Sequence, residues 1–266
     1  MRILFFVLMI ILVFDLEFSL QKIVSGAENN NNNEKRVVRV LKLDNEPITD
    51  DKIPEIVANN PELVELTLGG TKITDASLDH LVGLKKLRKI RLSKTTITDA
   101  AGEKLGKIST LQDIDVSQTE FGDAGIVGLK SLTKLKHLNI YFTNITDEGV
   151  NAIKDFASLK TLVRLNLDLC CVSDSGVRSF LPAVNLEWLH LGGTDVTDAV
   201  IPELAKFKKL KEVIVTKTEV TTSGVEKLRK LLPDCKIQDD VSNKITDEQI
   251  KDAQKRRKKK KQAPTK

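Results

Sequence analysis

Two 24-residue stretches follow one pattern, LVELTLGGTKITDASLDHLVGLKK at residues 63–86 and LEWLHLGGTDVTDAVIPELAKFKK at residues 186–209. Each has apolar residues at offsets 0, 3, 5 and 10, Thr at offset 8 and Asp at offset 12. Successive copies begin 24 residues apart, with one spacing of 27, at Leu63, Leu87, Leu111, Leu135, Leu162, Leu186 and Leu210. An earlier copy begins at Val38, so the chain is built from about eight repeated units.

The physical chemistry of one unit is readable from its pattern. Apolar and polar residues alternate around offsets 3 and 5, which predicts a short strand with one buried face. The Thr-Asp pair that follows predicts a helix start, because Thr accepts hydrogen bonds from free backbone N–H groups and Asp favours the positive end of the helix dipole. One strand and one short helix cannot bury themselves, so we expect stacked units to form a parallel sheet covered by helices.

The two quoted stretches resemble the leucine-rich repeat, and more narrowly the Thr-x-Ile/Val-Thr-Asp-x-Gly variant common in exported bacterial proteins. The resemblance covers about residues 37–240, and residues 231–237 resemble the terminal half-repeat of such proteins. It implies an α/β solenoid, with eight parallel strands on a concave face and short helices on a convex face. We expect the three extra residues of the unit 135–161 on the convex side, near residues 155–160. The resemblance implies a concave sheet that binds partners, without naming one function.

The segments outside the repeats have different compositions. Arg2 followed by the apolar run Ile3–Phe14 predicts a signal peptide or an uncleaved N-terminal anchor over residues 1–26. Residues 27–36 form an Asn-rich linker, and residues 241–266 form a basic tail that should be disordered when free. We therefore expect an exported protein, whether periplasmic, secreted or anchored in a membrane by its N-terminus.

The repeat register of the resembled family puts offsets 2, 4, 6 and 7 on the concave surface. The only Trp, the only Tyr and two of the three His fall at these offsets between positions 137 and 190. Large apolar side chains exposed beside polar ones are typical of an interaction hot spot. The predicted partner-binding patch consists of His137, Asn139, Tyr141, Phe142, Asn166, Asp168, Leu169, Trp188 and His190. The alternative is that aromatic residues reached a drifting repeat surface by chance.

Charged residues at the same offsets lie beside this patch. Lys89, Arg91 and Lys94 make one unit basic, and Asp113 and Asp115 make the next unit acidic. These two stripes either steer a partner electrostatically or pair with each other across the strands.

The sequence indicates neither catalysis nor a cofactor. A Gly-rich phosphate loop, an HExxH motif and a G-x-S-x-G motif are missing from it. His137 and His190 are two repeats apart, too far for the three or four close ligands of a metal site. The repeated Asp residues occur singly, whereas calcium requires six to eight clustered oxygens. We predict no enzyme activity, no cofactor and no metal.

The tail contains seven consecutive cations, Lys255, Arg256, Arg257, Lys258, Lys259, Lys260 and Lys261. Such a block attracts anionic lipids or other polyanions through counterion release. Because no aromatic residue accompanies it, specific nucleic-acid binding is not expected. The alternative is a tail that only increases solubility.

The leading functional hypothesis is a non-catalytic, monomeric module that binds a protein or a surface polymer on its concave face, within an exported protein. One alternative is an intracellular adaptor for substrate recognition, similar to F-box leucine-rich repeat proteins, although no F-box helices precede Val38. Another is a regulatory subunit of a larger exported complex. We expect Trp188 and Tyr141 to be the main anchors, because both are large and amphipathic.

Overall fold

The computed structural model describes residues 37–154 and 156–239. The predicted signal peptide or anchor (1–26), the Asn-rich linker (27–36) and the basic tail (241–266) lie outside the described residues. The predicted repeat domain is therefore described over nearly its whole length.

The strands form one open parallel sheet in chain order. Identical offsets of successive units pair, so that Glu65 lies opposite Lys89 and Leu66 lies opposite Ile90. Within the described part of the chain there are nine strands rather than eight, because the terminal half-repeat adds the last one. They are β1 (Val40–Lys42), β2 (Glu65–Thr67), β3 (Lys89–Arg91), β4 (Asp113–Asp115), β5 (His137–Asn139), β6 (Arg164–Asn166), β7 (Trp188–His190), β8 (Glu212–Ile214) and β9 (Lys236–Gln238).

Short helices connect the strands on the far side of the sheet. The α-helices are α1 (Ile53–Asn59), α2 (Ser77–Leu81), α3 (Ala100–Gly106), α4 (Asp123–Gly128), α5 (Asp147–Ala152), α6 (Asp174–Ser179), α7 (Ile201–Leu204) and α8 (Thr222–Leu231). Single 3₁₀ turns occur at Asp50–Lys52, Leu129–Ser131, Ala157–Thr161 and Asp198–Val200. In the region that the structure covers, no helix has the length and apolar character needed to cross a membrane.

The core lies between the sheet and the helices and is almost entirely aliphatic. The central residue of each strand from β2 to β8 is buried, as Leu66, Ile114 and Leu189 illustrate. Phe121 and Phe180 are the largest fully buried side chains. Each unit covers the apolar face of its neighbour, which is how a 24-residue repeat obtains a core.

The extra residues of the unit that begins at Leu135 lie between α5 and β6, outside the sheet. They are accommodated next to the 3₁₀ turn Ala157–Thr161. The pairing of His137 with Arg164 keeps the register of the ladder. The longer unit therefore leaves the concave surface continuous, as predicted.

The repeated Thr at offset 8 is an internal hydrogen-bond donor. The Thr71 hydroxyl donates to the carbonyl of Leu68 at 2.7 Å, and the same bond recurs from Thr95, Thr119, Thr143, Thr194 and Thr218. Cys170 replaces Thr once; it is buried, with its sulfur 3.1 Å from the carbonyl oxygen of Ile140. Each of these bonds satisfies a carbonyl at the end of a strand.

The repeated Asp residues join successive units. Thr146 donates from its backbone N and its hydroxyl to the Asp123 carboxylate, at 2.7 and 2.6 Å. The same arrangement connects the Asp of other units to the Thr or Ser that begins the next helix. Hydrogen bonds from Thr221 lower the pKa of Asp198. The sequence predicted an Asp that serves its own helix, whereas the structure shows one that also holds the helix start of its neighbour.

The role of the repeated Asp residues in joining units can be tested at Asp147, the first residue of α5. Asp147 accepts hydrogen bonds from the Ser173 N and hydroxyl, at 2.8 and 2.5 Å, and from the Ser175 hydroxyl at 2.6 Å. We expect Asp147→Ala to lower the free energy of unfolding by about 1–3 kcal/mol, because these donors lose their acceptor. The neighbouring Glu148 is exposed, so Glu148→Ala should change stability by less than about 0.5 kcal/mol. Urea unfolding measures both, and equal effects would contradict this role for the aspartate.

Candidate functional site

The concave face of the sheet forms a groove of about 660 Å³. Side chains at offsets 2 and 4 line it, from Lys42 on β1 to Glu212 on β8. The predicted patch residues His137, Asn139, Asn166, Trp188 and His190 are all in this lining. The expectation that offsets 2 and 4 face the concave surface is therefore confirmed.

Offset 7 behaves differently, because its backbone is left-handed in every unit. The φ angles at this offset are positive at Asn45, Gly70, Lys94, Gln118, Phe142, Leu169, Gly193 and Lys217. Only two of these eight residues are Gly, the residue that adopts this conformation without steric cost. The chain turns here, and among the described side chains at offsets 6 and 7 only Asp44 lines the groove.

Two predicted site residues at this turn are buried rather than exposed. Asp168 is only 8% exposed and Leu169 only 3%, so the prediction that both are exposed is wrong. The Leu169 side chain covers Gly193, where an added Cβ would lie 2.5 Å from Leu169 Cδ2. Tyr141 and Phe142 are partly exposed at the turn after β5, with ring centroids 6.0 Å apart. The aromatic pair therefore stands at the end of the groove wall rather than on its floor.

Two cations of the same chain lie over the ring of Trp188. The guanidinium carbon of Arg164 is 4.0 Å from the ring centroid, and Lys211 Nζ is 5.4 Å from it. Cations over an indole face are attracted by the ring quadrupole. Sequence reasoning missed both partners. The repeat register puts Arg164 beside Trp188 and could have identified it, whereas Lys211 belongs to an offset that was not assigned to the surface.

Each groove histidine has a carboxylate close to its Nδ1. His137 Nδ1 is 3.0 Å from Asp113 Oδ2, whereas His190 Nδ1 is 3.9 Å from Asp168 Oδ2, which is too long for a hydrogen bond. Burial lowers the pKa of His190, with a further lowering by Arg164 that Glu212 opposes. His190 is therefore neutral near pH 7.

Asp168 is the most perturbed acid of the site. Burial raises its pKa to about 7, although the Gly192 N–H donates to its Oδ1 at 2.5 Å and lowers the pKa in part. Burial and the negative charge of Asp168 also raise the pKa of Tyr141. A carboxyl group that titrates near neutrality has thus been placed beside the groove.

The charged stripes are largely paired across strands. Arg91 Nε lies 3.2 Å from Asp115 Oδ2, as the cross-strand alternative predicted. Lys89 instead pairs with Glu65 at 3.2 Å, and Asp113 pairs with His137. Lys94 is exposed at the turn after β3. Exposed pairs of this kind contribute little stability, but they fix the charge pattern of the groove.

In the parts of the chain that the structure describes, no group of three or more His, Cys, Asp or Glu residues could hold a metal ion. What the groove offers is a row of polar and charged side chains together with one indole ring.

The register can be tested by two adjacent substitutions on β7. Leu189 is fully buried, so we expect Leu189→Ala to lower the free energy of unfolding by about 2–5 kcal/mol. Trp188→Ala removes the contacts of the indole ring with Arg164 and Lys211, and should cost about 1 kcal/mol. Denaturant unfolding of both variants gives the comparison. A larger loss for Trp188→Ala would mean that the two faces are assigned the wrong way round.

The raised pKa of Asp168 predicts how stability depends on pH. Its pKa in the folded chain lies above the ordinary value of 3.8, so ionisation costs the folded state free energy. This cost grows from about pH 4 to about pH 7 and is constant above. Asp168→Asn, whose amide oxygen still accepts from Gly192, should therefore stabilise the protein by about 2–4 kcal/mol at pH 8. It should have little effect at pH 4, and thermal unfolding at the two pH values would reveal any other pattern.

Comparisons with known proteins agree with the geometry. A family model described as Leucine Rich repeat matches residues 131–154 and 158–181. A comparison with curated protein sequences gives no match. A crystal structure of an internalin from Listeria monocytogenes aligns with a TM-score of 0.54 at 23% identity, over 66% of this chain and 47% of that chain. Internalin C2 from the same organism aligns with a TM-score of 0.52 at 21% identity, over 73% and 78%.

These similarities bear on the fold. The present chain spans about half the length of the first internalin structure. Both alignments agree with an open parallel sheet whose units repeat in step with the Leu pattern of the sequence. Two matched repeats, two similar solved structures and nine described strands in one ladder lead to the same conclusion: the chain folds as a leucine-rich repeat solenoid.

Proposed function

We propose that the protein is a non-catalytic interaction module that binds a protein partner in its concave groove. The observation that carries this proposal is the shape of the groove. It crosses β1 to β8, which at the usual spacing of strands is roughly 34 Å. A volume of about 660 Å³ spread over that length is shallow. A shallow, extended surface suits a macromolecule, whereas small-molecule sites enclose most of their ligand.

The chemistry of the groove supports a protein rather than a polyanion. Its lining alternates acidic and basic side chains, among them Glu65, Lys89, Arg91 and Asp115. A mixed pattern selects a partner with complementary charges and gives specificity. Trp188, partly exposed and held in place by Arg164, supplies a rigid anchor. Binding through such anchors needs no reaction, so the module is proposed to recognise and not to transform its partner.

We further propose that the module works outside the cytoplasm, in an exported protein. The apolar run Ile3–Phe14 after Arg2 supports this, since such a run is typical of a signal peptide or anchor. The polybasic block 255–261 is proposed to add an unspecific contact with anionic lipids or other polyanions. Cell fractionation of the tagged full-length chain would locate the protein, and a cytosolic pool with an intact N-terminus would favour the adaptor hypothesis.

The binding proposal is tested by capture of a partner with matched variants. The full-length protein isolates a partner, and its affinity is then measured by surface plasmon resonance. We expect Trp188→Ala to weaken binding by about 2 kcal/mol, since a central aromatic anchor is lost. The control is Val184→Ser, because Val184 is 61% exposed and does not line the groove.

Two outcomes would contradict the proposal. One is equal affinity of the wild-type protein, Trp188→Ala and His137→Ala for the captured partner. The other is binding that depends only on the basic block and disappears when residues 255–261 are replaced by Gln.

A further inference from the structure

Two aspartates occupy the same repeat position, at offset 6, and differ in one contact. Asp44 Oδ1 accepts a hydrogen bond from the Gly69 N–H at 2.8 Å. Asp168 Oδ1 accepts the equivalent bond from the Gly192 N–H at 2.5 Å. In both units one carboxylate oxygen is therefore used to hold the backbone of the next unit.

The second oxygen makes the difference. Asp44 Oδ2 accepts a 2.6 Å hydrogen bond from the hydroxyl of Thr67, at offset 4 of the next unit. At the same offset after Asp168 stands His190, whose Nδ1 remains 3.9 Å from Asp168 Oδ2. Within residues 37–154 and 156–239, no hydrogen-bond donor reaches this oxygen. The Asp168 side chain keeps 11% of its surface exposed and lies next to His190, which lines the groove.

The surroundings of Asp168 leave its charge uncompensated. His190 is neutral near pH 7, because burial lowers its pKa. Tyr141, on the preceding unit, and the buried Cys170 thiol are acids whose pKa values burial raises, and the charge of Asp168 raises both further. Arg164 is stacked on Trp188 rather than paired with this carboxylate. An isolated buried carboxylate is costly, and the charge of an incoming cation would offset that cost.

We propose that Asp168 Oδ2 binds a primary ammonium group, the side chain of a lysine on the protein partner, at this wall of the groove. The inference rests on the proposed function for the source of the ammonium, and on the geometry of Asp168 for the site itself. An ammonium suits the site better than a guanidinium, because a guanidinium fork favours two free carboxylate oxygens and Gly192 already occupies one. The neighbouring rings of Tyr141 and Phe142 add surfaces that attract organic cations.

A pH dependence follows from the position of the acid. The pKa of Asp168 is raised to about 7 by burial, so the carboxyl is largely protonated at pH 6 and ionised at pH 8. A lysine ammonium, with an ordinary pKa of about 10.4, stays charged over this range. Affinity for a lysine should therefore rise from pH 6 to pH 8 and then level off, with release of a proton on binding near pH 7.

The direct test uses NMR of the side-chain carboxyl carbons in the full-length protein. The probe is N-acetyl-lysine methylamide, and the matched control is its norleucine counterpart, which lacks the ammonium. We expect saturating lysine probe to lower the midpoint of the Asp168 titration by about one pH unit or more, because a close cation favours the ionised form. The norleucine probe should leave it unchanged, and Asp44 should respond to neither.

Variants give a second, independent readout. Asp168→Asn should weaken binding of the lysine probe about tenfold or more, since a charge-assisted hydrogen bond is lost. Asp44→Asn is the matched control and should leave probe affinity within about twofold, because both oxygens of Asp44 are already bonded. The proposal is overturned if the lysine probe does not change the midpoint of the Asp168 titration, or if the equivalent arginine probe binds more tightly. Both results can be obtained even if Asp168→Asn fails to fold.

The remaining arms separate this site from its alternatives. If Trp188→Ala disrupts partner binding, while Asp168→Asn does not and the lysine probe leaves the Asp168 midpoint unchanged, the proposed interaction module is supported and the ammonium site is overturned. If instead the lysine probe lowers the Asp168 midpoint but the partner does not bind in the groove, the ammonium site is supported and the proposed function is overturned. If replacing residues 255–261 by Gln alone raises the Asp168 midpoint, the tail of this chain fills the site, and its assignment to a partner is overturned.

Discussion

The architecture depends on the hydrogen bonds that each aspartate at offset 12 accepts from the next unit. A carboxylate such as Asp123 holds the backbone N–H and the hydroxyl of Thr146 at once. That contact fixes where the next helix begins, and hence the register of the next strand. Since no unit buries its apolar face alone, the same contact also decides whether the core closes. The groove is then a consequence, because every strand presents the same two offsets to the same side.

Much of the fold could be predicted from the sequence because its periodicity is strong. Leu189 and Trp188 illustrate this, since the repeat register of the resembled family assigned one to the core and the other to the groove. The ninth strand was visible only as a resemblance in residues 231–237, and it forms because β8 offers it an unpaired edge. Periodicity could not reveal that the aspartates act between units, because a pattern within one repeat carries no information about the neighbour.

The candidate site was less predictable, for reasons of backbone geometry. Asp168 and Leu169 belong to the turn that follows β6, where both are buried, whereas Lys94 in the equivalent turn after β3 is exposed. The surroundings of Asp168 determine its chemistry more than its residue type does, since Asp44 at the same offset has both carboxylate oxygens bonded. The stacking of Arg164 on Trp188 is likewise a contact between units. The sequence of one unit identifies the residues of such a site, but it does not show which of their polar groups lack a hydrogen-bond partner.

The central claim is that the concave groove, and not another part of the chain, receives the partner. Hydroxyl-radical footprinting with mass spectrometry measures this directly, because indole and phenol rings are oxidised according to their exposure. The account predicts that the partner lowers oxidation of Trp188 and Tyr141 while residues 182–184, outside the groove, react as before. Unchanged oxidation of both aromatic side chains, with protection elsewhere on the molecule, would contradict it.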